Sequence, residues 1–209
     1  MGSAEAFAAL LTVDVDLPDG TLMRIRPVRP DDGPALVEGF SRMSPETRFL
    51  RFFTAMSRLS PAQLEYFTHV DHVDHFAWVA FDRARTDEPG ATPDGLGIGV
   101  ARYIRLKDEP TMAEFAVVIV DEYQGRGIGT YLLEAIAVVA SERGIDRLCA
   151  FVRAENAAML AVFHQFGATA VHDEPGVTRV EIPVDSMTDH LARESDLRRA
   201  LRLAAARTD

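Results

Sequence analysis

Cysteine occurs once in the 209 residues, at Cys149 inside the apolar run RLCAFV, so no disulfide can close within the chain. A reducing, cytoplasmic setting is expected. Positive charge is also short: 22 Lys and Arg stand against 32 Asp and Glu, a net charge of -10. Without a broad basic face to neutralise phosphates, nucleic acid is not an expected partner, and a cationic amine or a lysine-bearing surface suits the balance better. No apolar run approaches the roughly 20 residues that span a bilayer. The opening residues MGSAEAFAALL lack the basic start of a secretory signal, so neither membrane insertion nor secretion is expected. Glycine and proline are modest at 14 and 11, while 47% of the residues are apolar, enough for the core of one domain.

Residues 1–19 show no clear period and end at the turn signal PDG, which predicts an arm ahead of a domain over 20–184. TLMRIRPV alternates Leu22, Arg24 and Arg26 with Met23 and Ile25, as a strand does. Leu36, Phe40 and Met43 then mark one helical stripe. SPETRFLRFF and SPAQLEYFTHV each pair a capping serine with a first-turn proline and predict two short helices. HFAWVAFD reads as a strand and Trp78 as core. GIGVARYIRL and TMAEFAVVIV flank the turn KDEP as an antiparallel hairpin. GTYLLEAIAVVASERG has helical spacing, with Gly144 as its stop. DRLCAFV is a buried strand with Cys149 as core, NAAMLAVFHQFGA a helix ended by Gly167, and TRVEIPV a last strand. Residues 185–209 predict a C-terminal amphipathic helix.

Although glycine is sparse, three fall within five positions, at Gly125, Gly127 and Gly129. They lie between the end of a strand and the start of a helix. Backbone N–H groups and the positive end of the helix dipole converge there, which is the setting for an anion. A P-loop would need Lys-Ser/Thr after its last glycine, and Thr130-Tyr131 stands there instead. A dinucleotide fingerprint would need G-x-G-x-x-G, and the spacing is G-x-G-x-G. Gln124-Gly125-Arg126-Gly127-Ile128-Gly129 matches the [Gln/Arg]-x-x-Gly-x-[Gly/Ala] loop of the GNAT superfamily of N-acetyltransferases. NAAMLAVFHQFGA resembles that family's second motif, and HVDHVDHFAWVA with DEPTMAEFAVVIVDEYQGRGIG resembles the catalytic domain of bacterial Pat-type protein lysine acetyltransferases. The resemblance spans about Leu22 to Pro183.

The resemblance implies a mixed α/β (α+β) fold, with a central, mostly antiparallel sheet splayed at the acetyl-CoA site and helices on both faces. It implies that Gln124, Gly125, Arg126, Gly127, Ile128 and Gly129 hold the diphosphate of acetyl-CoA. Backbone groups of Ala116, Val117 and Val118 would hold the pantetheine and polarise the thioester carbonyl, with Asn156 opening the helix that lines it. Glu114 would be the general base, with burial raising its affinity for a proton. Its alternative is a strand carboxylate that faces the groove without taking a proton. The implied reaction is direct transfer in a ternary complex to a protein lysine, acyl-CoA synthetases being the suggested acceptors; a small amine, or a non-catalytic acyl-CoA sensor, is the alternative. Phe163 stands where many relatives carry the tyrosine that protonates the leaving thiolate. Mycobacterial members carry a cyclic-nucleotide domain ahead of this one; only residues 1–20 precede the strand read first here, so control by cyclic AMP in cis is not expected.

Three further features leave alternatives. His69, His72 and His75, interleaved with Asp71 and Asp74, suggest a metal, although a run from helix end to strand need not converge its imidazoles; no metal is assigned. Arg126 either reaches phosphate or stays solvated. Asp108, Glu109, Asp121 and Glu122 either attract a cationic substrate or form a solvated rim.

Overall fold

The computed structural model describes residues 11–188. Eight strands form one sheet: β1 (Val13–Asp16), β2 (Leu22–Pro27), β3 (His75–Asp82), β4 (Leu96–Arg105), β5 (Met112–Ile119), β6 (Arg147–Arg153), β7 (Thr169–Glu174) and β8 (Val177–Pro183). Their order is β1-β2-β3-β4-β5-β6-β8-β7. All neighbours pair antiparallel except β5 and β6. The helices are α1 (Gly33–Ser41), α2 (Pro45–Phe52), α3 (Pro61–Thr68), α4 (Ile128–Glu142), α5 (Ala157–Gln165) and α6 (Val184–Thr188). Of the C-terminal helix expected over 185–209, α6 covers the start; residues 189–209 lie outside the described range.

Strand alternation sorts the side chains into two layers. Phe76, Trp78, Tyr103 and Phe115 share the face that receives α4, whose Leu132, Leu133 and Ile136 are fully buried against it. Burial of each such side chain contributes about 2 kcal/mol. The opposite face carries Ala77, Val79 and Phe81, packed with Ala35 of α1 and Val28. Glu114 and Ala116 belong to this second face, because the register sets them against Ile104 and Arg102 on β4.

The structure corrects two expectations. Residues 1–19 are not only an arm: β1 lies within them, pairs with β2 from Val13↔Ile25 to Asp16↔Leu22, and brings Leu11 and Val13 into the main core. With only two valines alternating against Asp14 and Asp16, its period was too short to stand out. β7 is the second addition, turning at Gly176 (φ +80) into β8. Both helices opened by Ser-Pro are found where the sequence places them. Ser44 Oγ accepts from the Thr47 N–H and Ser60 Oγ from the Gln63 N–H.

Candidate active site

β5 and β6 pair only at Met112↔Arg147, Ala113↔Leu148 and Glu114↔Cys149. Beyond this point each keeps its outer partner, β4 or β8, while their inner edges separate. The gap is a cleft of about 550 Å³. Glu114 to Ile119 form one wall and Ala150, Phe151 and Val152 the other; α5 and the first turn of α4 close the back, and Thr47, Leu50 and Arg51 of α2 lie across it. Parting from β6 leaves the inner backbone edge of Ala116, Val117 and Val118 without a strand partner, so that edge faces the cleft.

At one end of the cleft lies the glycine loop. Gly125 (φ +75) and Gly127 (φ +83, the N-cap of α4) hold left-handed conformations, and a β-carbon on either would project into open space. The first N–H groups of α4 have no acceptor within the helix, and the dipole of its 15 residues adds a positive end. An anion as large as a diphosphate fits this cradle. Gln124 lines it, donating from Nε2 to the Ile119 carbonyl (3.1 Å) and to Thr47 Oγ1 (3.4 Å). Asn156 also lines the cleft, its Oδ1 capping α5 at the Met159 N–H (3.1 Å).

Two residues of the predicted diphosphate set sit elsewhere. The Ile128 side chain is core, 1% exposed. Arg126 turns back onto the protein, donating from Nη2 to the Glu122 carbonyl (2.7 Å), with its guanidinium 4.7 Å above the Tyr123 ring. Neither side chain lines the cleft, and Arg126 stays on the surface with Nη1 3.4 Å from Asp19. Of the four acids read as a rim, Asp121 accepts from Ser44 and Thr47, Glu122 pairs with Arg42 and Arg85, and Glu109 lies 3.6 Å from Arg147.

Glu114 stands at the other end of the cleft. The burial expected for it is not found: the strands part just past its position, and its carboxylate is exposed at the cleft mouth. Cys149, its register partner, is 2% exposed and burial pushes its thiol up, as suits a core residue and not a nucleophile. Phe163 closes the back wall, edge-on to Phe115 with centroids 5.2 Å apart. The imidazoles do not converge: His75 Nε2 faces Arg102 at 3.0 Å, whereas His69 Nδ1 lies 3.2 Å from the Glu65 carbonyl at the end of α3. Among the described residues no cluster of three His, Cys, Asp or Glu has metal-binding geometry.

Sequence reasoning missed the contribution of α2. Thr47 and Arg51 are four apart on one helical face, a spacing visible in the sequence, yet nothing there says that this face crosses a cleft.

Residues 23–169 match the family model described as the acetyltransferase (GNAT) domain. The chain belongs to the GNAT acetyltransferase family. Among curated relatives it is 35% identical over 187 residues to the acetyltransferase Pat of Mycolicibacterium smegmatis, covering 88% of this chain and 53% of that protein, so the chain spans about half that relative's length. It is 30% identical over 164 residues to the acetyltransferase PA5475 of Pseudomonas aeruginosa, covering 78% of this chain and 84% of that one. The crystal structure of the GNAT domain of S. lividans PAT superposes with a TM-score of 0.74 at 37% identity, over 84% of this chain and 98% of that one. In this GNAT acetyltransferase the splayed strands, the glycine loop and the mostly antiparallel sheet flanked by helices are the family's architecture. No helix among the described residues is long and apolar enough to cross a membrane.

Proposed function

We propose that this acetyltransferase binds acetyl-CoA along the β5–β6 cleft and transfers the acetyl group to the amine of a protein lysine, with acyl-CoA synthetases as the acceptor class, in a reducing cytoplasm. The observation that carries the reading is the length of the cleft, which joins an N–H-lined, glycine-built cradle to an exposed carboxylate. The choice of acceptor follows the sequence resemblance to Pat-type protein lysine acetyltransferases.

Acetyl-CoA supplies an activated acetyl thioester. The chain's own residues do the rest. The glycine loop and the first turn of α4 hold the diphosphate, and the unpaired edge at Ala116, Val117 and Val118 presents backbone N–H to the pantetheine and the thioester carbonyl. A lysine ammonium with a reference pKa of about 10.4 costs about 4.6 kcal/mol to deprotonate at pH 7. Glu114, open to the mouth where the acceptor enters, takes that proton as the amine attacks. The C–S bond breaks as the amide forms, and the departing thiolate, with a reference pKa near 8.5, leaves with less help than an alkoxide would need and takes up the second N–H proton through solvent. Turnover is therefore compatible with Phe163.

Glu114→Gln is expected to lower the rate of transfer to a purified acyl-CoA synthetase by about 10²–10⁴-fold, while coenzyme A binding stays within twofold by calorimetry. A wild-type rate in the variant overturns the base assignment. Absence of any labelled lysine, read by mass spectrometry with coenzyme A bound, overturns the acceptor.

A further inference from the structure

On its α2 side, the acceptor end of the cleft brings two arginines near the carboxylate of Glu114. Arg51, on the face of α2 that crosses the cleft, lines the mouth beside Glu114. Its guanidinium makes no hydrogen bond or ion pair among the described residues; its ring neighbour is Phe52, at 5.0 Å. Burial pushes it down from the usual arginine range, and Glu114 opposes that shift.

A second guanidinium approaches from below. Arg102 sits opposite Ala116 on β4, on the same sheet face as Glu114, and is 5% exposed. Its Nη1 faces His75 Nε2 at 3.0 Å, its Nη2 donates to the Phe67 carbonyl at 3.3 Å, and it lies 4.5 Å over the Phe67 ring. No carboxylate pairs with it among the described residues. Burial and the repulsion of Arg51 push it down to about 9. His75 adds no charge of either sign, since burial and Arg102 push it down to about 4 and hold it neutral. Arg51, partly buried, thus stands beside the exposed carboxylate of Glu114, with the buried guanidinium of Arg102 near it on the same sheet face, in a chain whose net charge is -10.

This charge does not serve the coenzyme's diphosphate. Five residues of extended β5, roughly 16 Å at 3.3 Å each, separate Glu114 from the strand end that leads into the glycine loop. A bare ammonium beside Arg51 would meet repulsion. An acceptor bearing both an amine and an acid would not.

We propose that Arg51 forms a subsite for a carboxylate that the acceptor carries beside its reacting amine, with Arg102 reinforcing the field from beneath. This rests on the transferase reading above and deepens it: the acceptor is a lysine flanked by Asp or Glu, or an amino acid whose own carboxylate plays that part. Arg51 is then a specificity-determining residue. It neither gains nor loses a proton in the reaction.

The test measures kcat/KM for acetyl transfer to two matched pairs: lysine peptides differing only by Glu or Gln next to the lysine, and leucine with leucinamide. The acidic member of at least one pair is expected to be preferred by tenfold or more, the scale of a charge-assisted hydrogen bond. Arg51→Gln should bring that ratio to about one and Arg51→Glu should invert it, with coenzyme A affinity retained as the sign of an intact fold. Preference within the peptide pair identifies a protein acceptor; preference within the leucine pair alone sustains the subsite and removes the lysine reading. Equal transfer to both peptides by wild type, with no preference in the other pair, overturns the subsite while the lysine reading stands. Transfer to none of the four, with coenzyme A bound, overturns both. Should the variants fold poorly, the wild-type ratios alone decide.

Discussion

Gly127 ends the loop with φ +83 and empty space where a β-carbon would stand. The left-handed conformation costs a residue with a side chain about 1–2 kcal/mol, and the added methyl intrudes where the diphosphate is expected. Gly127→Ala should therefore weaken coenzyme A binding tenfold or more by calorimetry, with a melting temperature only a few degrees lower. This residue's part was readable locally, because a positive φ and an open cradle are demands that glycine meets in its own sequence context. Glu114 was readable as a carboxylate interrupting an apolar strand, but its exposure was not, since that depends on where β6 departs. Arg51 had no local signal at all; a cation on a short helix acquires meaning only from the carboxylate the fold sets beside it.

Helix α2 is held at both ends. Asp121, just past β5, accepts from the Ser44 N–H (2.9 Å) and from Thr47 Oγ1 (3.0 Å), while the Arg153 guanidinium of β6 lies 4.5 Å over the Phe49 ring. Thr47, Leu50 and Arg51 keep their places over the cleft through these ties. Asp121→Ala should raise the KM for acetyl-CoA several-fold with a smaller change in kcat, read by steady-state kinetics beside a thermal melt. A deeper tie joins β2 to the start of α1. Arg26, 2% exposed, makes a two-pronged pair with Asp32 (2.7 and 2.8 Å) and donates from Nε to Asp94 (2.6 Å). Asp32→Ala strands much of a buried charge and should cost about 3 kcal/mol in urea unfolding. The Ser-Pro caps made α2 and α3 legible in the sequence. The buried role of Arg26 was hidden, because Asp32 reaches it only through the turn after β2 and Asp94 only through the loop that joins β3 to β4.

At the scale of the whole molecule, two partly or largely buried histidines contribute to the response to pH. His75, on β3, is held neutral by burial first and then by Arg102, with its value pushed down to about 4 from an ordinary 6.5; His72 is likewise pushed down, by burial. Between these values the unfolded chain binds a proton that the folded chain does not, so stability is fully present above about pH 6.5 and falls as the pH drops toward 4. The loss should be on the order of 1–3 kcal/mol by pH 4.5. Urea unfolding of wild type and His75→Gln at pH 7.5 and 5 checks it: the variant, which can still accept from Arg102, should show the flatter dependence.

The sequence by itself determined the class of this protein. Alternation, serine caps and the glycine spacing are local properties, carried by a few consecutive residues whose backbone preferences need no distant partner. Strand β1, with two valines, and β7, ending in a charged turn, lay below that threshold and were settled by pairing with β2 and β8. The tertiary structure alone decided what occupies the acceptor end of the cleft. Glu114 and Arg102 share the β4–β5 hairpin, but Arg51 comes from a helix far earlier in the chain, and electrostatic fields add through space without regard to sequence order.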